Sequence, residues 1–141
     1  MDIIHESEVA GSRVNARTLQ WLVHDDGPLV SEECTCCLLY MEPGSTAKPP
    51  HSHYDCEEAI FVLEGEGEML LEGNDSEEVR QGSFLLMRKG QIHMLSNSGD
   101  KPLRAICFYT APTDISRYLM HPIEKVGITD DDSSCSPEIT G

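Results

Sequence analysis

The sequence predicts an all-β fold, a sandwich or barrel built from many short strands. Three observations predict this class. Short apolar runs recur at close spacing, turn-forming residues separate them, and a length of 141 residues is that of one domain. The periodicity alone does not distinguish one kind of barrel from another.

The predicted elements follow in order along the chain. The first strand is expected within residues 14–23, and the turn signal His24-Asp25-Asp26-Gly27-Pro28 ends it. Apolar runs predict further strands at residues 36–41, 59–63, 68–71, 83–87, 94–95 and 103–109. Turns such as Pro43-Gly44 lie between these runs. Residues 116–120 are predicted to form one helical turn.

The chain divides into three segments. Residues 1–30 are expected to form an N-terminal strand arm that belongs to the barrel or to a dimer contact. Residues 31–122 are expected to form the barrel itself. Residues 123–141 are predicted to be a flexible acidic tail, because from Thr129 the sequence is polar, lacks periodicity and contains Asp130-Asp131-Asp132.

Charge and hydropathy argue against several function classes. The formal net charge of −15 disfavours nucleic acid and anionic lipid as partners, since both select basic surfaces. No apolar run approaches the roughly 20 residues needed to cross a membrane, and the first residues do not read as a signal peptide. We therefore expect a cytoplasmic protein with a small-molecule substrate or ligand.

A group of histidine and carboxylate residues predicts a metal site. His51 and His53 lie two residues apart, so in a strand their side chains point to the same face and can reach one ion together. Glu58 follows at an offset that requires a bend, and His93 has to come from a neighbouring strand. Imidazole and carboxylate groups are the usual ligands of divalent transition metals.

The residues around these ligands resemble the two sequence motifs of the cupin superfamily. The two stretches read Gly44-x6-His51-x-His53-x4-Glu58-x6-Gly65 and Gly82-x5-Arg88-x-Gly90-x2-His93-x3-Asn97. Their glycines and ligand types match the motifs. Gly44 lies one residue further from His51 than in the tightest form, and Arg88 stands where the second motif usually has proline. The resemblance covers roughly residues 33–110 and is that of a small single-domain, metal-binding cupin.

The resemblance implies a fold, a cofactor and an assembly. The fold is a double-stranded β-helix, a jelly-roll barrel with the metal inside one mouth. The cofactor is one iron, manganese, zinc or nickel ion per chain, held by His51, His53, Glu58 and His93. Such an ion in six-fold geometry keeps two positions for water or substrate. Single-domain cupins usually dimerise, often through an N-terminal strand, and residues 12–23 are the candidate strand here.

Proton transfer at the metal needs a further group within reach. Tyr54, Tyr109 and Arg88 are the candidate catalytic residues by position, and Asp55 and Glu57 are further candidates. Tyr109 falls on the last strong strand, whose alternate side chains face a barrel interior. The alternative interpretation of Tyr109 is a packed aromatic ring with a hydrated hydroxyl.

The cysteines are interpreted as small core residues in a reducing compartment. Cys34, Cys36 and Cys37 lie in a predicted buried strand, in which Cys34 and Cys36 share one face and Cys37 takes the other. A CxC pair without a matching partner pair is poor evidence for a thiolate site. Cys56 lies between two proposed ligands, but three histidines and a glutamate already complete a set.

Three function classes fit the predicted site. The first is a metal-dependent enzyme acting on a small organic molecule, foremost a dioxygenase or related oxidoreductase, with lyase, isomerase or cyclase chemistry as the alternative. The second is a non-catalytic, metal-containing protein that binds a sugar or organic acid. The third is a structural use of the barrel, as in seed storage, against which the intact ligand set argues. A metal site with open positions is the catalytic pattern, so the enzyme is favoured.

Overall fold

The computed structural model describes residues 1–129, and most of their regular structure is β-strand. The strands are β1 (Ser12–Val14), β2 (Arg17–Val23), β3 (Thr35–Met41), β4 (His51–His53), β5 (Glu58–Glu64), β6 (Glu66–Leu71), β7 (Ser76–Arg80), β8 (Phe84–Met87), β9 (His93–Ser96), β10 (Leu103–Tyr109) and β11 (Tyr118–Met120). Short 3-10 helices span Glu6–Glu8, Ile115–Arg117 and Ile123–Val126. Within residues 1–129, no helix is long and apolar enough to cross a membrane. The predicted all-β fold is confirmed.

The strands form two antiparallel sheets with crossed connections. The six-stranded sheet has the order β1-β2-β3-β10-β5-β8, and the five-stranded sheet has the order β11-β4-β9-β6-β7. Strands that are distant in sequence, such as β3 and β10, are therefore hydrogen-bonded neighbours. This connectivity is that of a jelly roll and differs from a simple meander of consecutive hairpins.

The main core lies between the two sheets. Alternate side chains of β10 point into it, and Leu103, Ala105 and Cys107 are at most 1% exposed. Met69 and Leu95 meet them from the opposite sheet. A shift of one residue in any of these strands would exchange the inner and outer side chains, so burial of this set fixes the register.

The C-terminal 3-10 helix covers the outer face of the five-stranded sheet. Met94 points away from the main core, yet it is fully buried because it packs with Ile92 and Val126. The structure therefore differs from the predicted boundary of the tail at residue 122. Apolar side chains extend to Ile128 and pack on the sheet, whereas the acidic residues 130–141 lie outside the described residues.

Residues 12–23 pair within the sheet of their own chain. β1 pairs with β2, and β2 pairs with β3, where Thr18 lies opposite Tyr40. The structure thus places this part of the predicted N-terminal arm in the barrel.

Apolar side chains are exposed on the outer face of the same sheet, where Phe61 lies opposite Phe84. An exposed apolar patch is the kind of surface at which a dimer contact is expected. The dimer itself stays a prediction.

The predicted helical turn at residues 116–120 is replaced by two shorter elements. The 3-10 helix Ile115–Arg117 is capped by the Asp114 side chain, which accepts a hydrogen bond from the Ser116 N–H at 2.8 Å. β11 follows directly and pairs with β4, so that Tyr118 lies opposite His53. Pairing with a neighbouring strand outweighs the local helical preference here.

The turn between β1 and β2 stores backbone strain. Asn15 and Ala16 have φ angles of 47° and 65°, as a two-residue hairpin turn with both central residues left-handed requires. Asn tolerates this conformation, whereas the Cβ of Ala disfavours it.

We predict that Ala16→Gly stabilises the protein by about 1 kcal/mol, because glycine relieves this strain. Urea unfolding followed by circular dichroism measures the change. Ala10→Gly is the matched control, since Ala10 is exposed and does not have a positive φ angle. Equal effects of the two substitutions would contradict the assignment of strain to this turn.

Candidate metal centre

The four predicted ligands converge inside the barrel from both sheets. His51 and His53 are the two ends of β4, and His93 begins β9 directly opposite His51. Glu58 begins β5 in the other sheet. Residues 54–57 cross from one sheet to the other, which is the bend that the offset between His53 and Glu58 requires.

The ligand groups are close together and shielded from water. One ligand atom from each of His51, His53, Glu58 and His93 lies within 4.8 Å of all the others, and all four residues are buried. Glu58 Oε1 lies 3.0 Å from His53 Nε2 and 3.2 Å from His93 Nε2. Three imidazoles and one carboxylate at these separations match the donor set of a divalent transition-metal site.

The hydrogen bonds of His93 call for a proton or a metal ion between its Nε2 and Glu58. Its Nδ1 lies 2.8 Å from the carbonyl oxygen of Gln91, which can only accept, so Nδ1 carries the proton and donates. In the neutral ring Nε2 then presents a lone pair to the Glu58 carboxylate. Two acceptors at 3.2 Å repel unless a proton or a metal ion lies between them. The convergence of two further imidazoles favours a metal ion, and the carbonyl partner is the usual orienting contact of a metal-bound histidine.

The electrostatics of the site keep its ligands ready to bind a cation. Burial alone would raise the pKa of the Glu58 carboxyl, but the neighbouring His53 and His93 rings outweigh it and hold that pKa well below the usual range. Burial and the neighbouring His93 and Arg17 lower the pKa of His51 well below its usual value. Glu58 is therefore ionised and His51 neutral at pH 7. His53 Nδ1 is buried without a hydrogen-bond partner among residues 1–129.

The turn of the second motif is tied to the ligand strand. Gly90, at a φ angle of 80°, donates its N–H to the His53 carbonyl oxygen at 2.7 Å. The Gln91 N–H donates to the Arg88 carbonyl at 3.1 Å and closes the turn. The turn therefore forms with Arg88 at the position where proline is usual.

Two buried tyrosines pack against the ligand histidines. The Tyr118 ring stacks on His51 at a centroid distance of 4.9 Å and meets the edge of His53 at 4.4 Å. The Tyr118 and Tyr109 hydroxyls are hydrogen-bonded at 2.8 Å. Burial and the Glu58 charge raise the pKa of both phenols well above the usual value, so both hold their protons at pH 7.

A small cavity adjoins the ligands. Its free volume is about 20 Å³, the space of one water molecule or ion. Its polar lining comprises Arg17, His51, Glu58, His93 and Tyr109, and apolar side chains complete its wall. Tyr109 is thus brought to the site, as the alternation along β10 predicts.

Arg17 and Tyr118 are site residues that the sequence reasoning missed. Arg17 alternates with Leu19 and Trp21 along β2, so the period of two was a usable signal for its inward orientation. Tyr118 carried no comparable signal, because β11 is only three residues long and its segment was predicted to be helical.

Two of the three proposed catalytic residues point away from the metal ligands. Tyr54 follows the inward-facing His53, and alternation turns it to solvent, where it is 56% exposed. Arg88 follows the buried Met87 and is likewise directed outward. Its Nη1 lies 3.1 Å from Glu57 Oε2, and its side chain is 73% exposed. Neither Tyr54 nor Arg88 is brought to the cavity.

The cysteines of the described residues are free thiols and are not part of the ligand group. Cys37 and Cys36 face opposite sides of β3, as predicted, and Cys37 pairs in register with Cys107. Cys37 is a core residue as expected, whereas Cys34 and Cys36 are only partly buried. Burial and the neighbouring Asp55 raise the pKa of the Cys56 thiol to about 12. Cys56 is therefore a thiol at pH 7 and a poor metal ligand, because the thiolate is the form that binds.

Comparison with known proteins assigns the family. The sequence model described as Cupin domain matches residues 37–109, just over half of the chain. The match contains the ligand strand β4, Glu58 and His93. The protein belongs to the cupin superfamily, and its two sheets form the double-stranded β-helix of that superfamily.

Among curated proteins, dimethylsulfoniopropionate lyase DddQ of Ruegeria pomeroyi is 28% identical over 101 residues. These residues are 72% of this chain, and the chain spans about half (49%) of the length of DddQ. The solved structure of DddQ superposes with a TM-score of 0.65 and 22% identity over 77% of this chain and 58% of that chain.

Two further solved structures share the fold. Polyketide cyclase RemF from Streptomyces resistomycificus has a TM-score of 0.68 at 22% identity and covers 93% of this chain and 89% of its own. An oxalate oxidase has a TM-score of 0.64 at 22% identity and covers 77% of this chain and 59% of its own. At these identities the structural likeness shows the fold alone.

We predict that Glu58→Ala and His93→Ala each lower the metal content of the purified protein at least several-fold, because each removes a buried ligand. Elemental analysis measures the content, and His5→Ala is the control, since His5 is exposed and does not line the cavity. A fully metallated Glu58→Ala/His93→Ala double variant would show that the assignment is wrong.

We predict that Arg88→Pro keeps the metal. Proline removes the Arg88 N–H, which donates to Gln91 Oε1 at 3.1 Å in an exposed turn, and such a loss costs about 1 kcal/mol. Metal analysis and thermal unfolding measure the two effects. Arg88→Ala separates side chain from backbone, and loss of metal in both variants would point to a direct role of the guanidinium.

Proposed function

We propose that this protein is a metal-dependent enzyme that transforms a small organic molecule by Lewis-acid chemistry, in the class of lyases and cyclases. The observation that carries the proposal is the buried tyrosine pair beside the three ligand histidines. It supplies a proton-transfer group next to a metal site, which a purely structural barrel does not need. The names of the relatives support this class, since DddQ is a lyase and RemF a cyclase.

The ligand residues would hold the cofactor without further rearrangement of the fold. His51, His53 and His93 offer imidazole nitrogens, and Glu58 offers an ionised carboxylate oxygen. A bound divalent ion supplies a Lewis acid that polarises an oxygen atom of the substrate.

Tyr109 is the proposed proton donor. It lines the cavity, and its Oη is hydrogen-bonded to the Oη of Tyr118 at 2.8 Å. The two hydroxyls carry two protons, and only one of these lies in the bond between them. Either hydroxyl can donate in this bond, and when Tyr118 donates to Tyr109 the Tyr109 proton is free for a ligand in the cavity. Tyr118 acts as a positioning residue, because its ring is held against His51 and its hydroxyl orients that of Tyr109.

The remaining cavity wall would exclude bulk water from the reaction. Leu19, Leu39 and Ile60 line it and are buried. An apolar wall strengthens hydrogen bonds between the site and a bound substrate, because the local dielectric is low. With a free volume of about 20 Å³, the site suits a small substrate whose entry requires side-chain movement.

A dioxygenase or related oxidoreductase is the second candidate. The donor set favours it, because three imidazoles and one carboxylate without a thiolate suit iron or manganese as well as zinc or nickel. The likeness in fold to an oxalate oxidase is consistent with this candidate.

The test compares zinc- and iron-loaded protein on a panel of small carboxylic acids that begins with dimethylsulfoniopropionate. Proton NMR follows the loss of substrate, and an oxygen electrode follows oxygen uptake. We predict turnover without oxygen uptake in at least one metal form. Turnover that consumes oxygen in proportion to substrate would instead establish the oxidoreductase.

We predict that Tyr109→Phe lowers kcat about 100-fold or more while metal content is unchanged, because the ring stays packed and the cavity hydroxyl is lost. Tyr118→Phe keeps the Tyr109 proton and should lower kcat less. Tyr40→Phe is the control, since Tyr40 is only partly buried on β3 and does not line the cavity. Full activity of Tyr109→Phe would show that Tyr109 is not the proton donor.

A further inference from the structure

Arg17 places a positive charge inside the barrel, beside the metal ligands. It is the first residue of β2 and is only 4% exposed. It lines the same cavity as His51, Glu58 and His93.

The hydrogen bonding of Arg17 is incomplete. Its Nη1 donates to the Asn15 carbonyl oxygen at 3.4 Å, which is long for such a bond. Within residues 1–129, no carboxylate forms an ion pair with Arg17. This hydrogen bond uses one of its five N–H donors.

Two arginines that do not line the cavity have carboxylate partners. Arg88 Nη1 lies 3.1 Å from the Glu57 carboxylate, and Arg104 contacts the carboxylates of Glu6 and Glu64 at 3.6 and 3.5 Å. Burial makes an unpaired charge costly, whereas exposure does not. An arginine that is buried and has no carboxylate partner among residues 1–129 is thus arranged to receive an anion.

The charge balance of the cavity also favours an anionic ligand. Glu58 contributes one negative charge, and Arg17 contributes one positive charge. A divalent ion on the ligand group adds two positive charges, so the buried site then has a positive excess. An anionic ligand would reduce that excess, and a carboxylate matches the planar guanidinium by accepting two parallel hydrogen bonds.

We propose that Arg17 binds the carboxylate of a small anionic substrate and thereby determines specificity for carboxylic acids over their neutral analogues. This rests on the proposed function, in which the substrate reacts at the adjacent metal site. Arg17 is held by one long hydrogen bond and can move to admit the substrate.

The test uses acetate as the probe and acetamide as its neutral analogue. Both are titrated into zinc-loaded and into metal-free protein, and saturation-transfer NMR measures binding. The variants are Arg17→Gln, Arg17→Lys and the control Arg80→Gln, whose side chain is exposed on β7. Zinc content and circular dichroism are measured on each sample. Arg17→Lys keeps a positive charge, and it is the test variant if Arg17→Gln does not fold.

We expect the wild-type protein and Arg80→Gln to bind acetate in preference to acetamide. Arg17→Gln should bind acetate at least tenfold more weakly with unchanged zinc content, and Arg17→Lys should lose part of the affinity because it lacks the planar pair of donors. A merely structural role of Arg17 would not abolish the discrimination between acetate and acetamide.

Other results would contradict either the role of Arg17 or the proposed function of the metal site. Equal acetate binding by wild type and Arg17→Gln, or no acetate binding by the wild-type protein, overturns the role of Arg17 and leaves the metal site intact. Failure of the wild-type protein to hold zinc or any other divalent metal overturns the proposed function. In that case the titrations of metal-free protein still decide whether Arg17 binds a carboxylate.

Discussion

The ionised carboxylate of Glu58 among three buried imidazoles is the interaction on which the structure depends. A buried carboxylate is stable only if positive groups or hydrogen-bond donors surround it, and here the nearest imidazoles, His53 and His93, come from two strands of the opposite sheet. His93 cannot supply such a donor in its neutral form, since its proton is given to the Gln91 carbonyl. A cation in the site resolves this conflict and links the two sheets, so metal binding and barrel stability are expected to be coupled.

The sequence was sufficient to predict the class of fold and most strands. Apolar runs located β3, β5, β6, β8, β9 and β10 to within about two residues. β7 was missed because Val79 is its one buried residue, so it carries no apolar pattern. β11 was missed because its partner β4 lies more than sixty residues earlier, and local preference cannot report such a pairing. The predicted start of the tail at residue 123 differs from the structure for a similar reason. Val126 is buried against the outer face of the five-stranded sheet, and the sequence does not show that this face lies next to it.

The ligand set was predictable because its spacing reflects local geometry. A period of two places His51 and His53 together, and the glycine-bounded motifs supply the other two ligands. The surrounding groups were not predictable to the same degree. Tyr54 and Arg88 were chosen by closeness in sequence, but adjacent residues of a strand face opposite sides. Arg17 enters from a different strand, and only the fold brings it to the site.

X-ray absorption spectroscopy on protein purified without added metal tests the central claim most directly. The account predicts about one divalent transition metal per chain, with nitrogen and oxygen neighbours at roughly 2.0–2.2 Å and the scattering pattern of several imidazoles. Sulfur neighbours at roughly 2.3 Å would contradict it, because they would move the ion to the cysteines. Protein that binds no metal even after incubation with zinc, iron, manganese and nickel would contradict it as well.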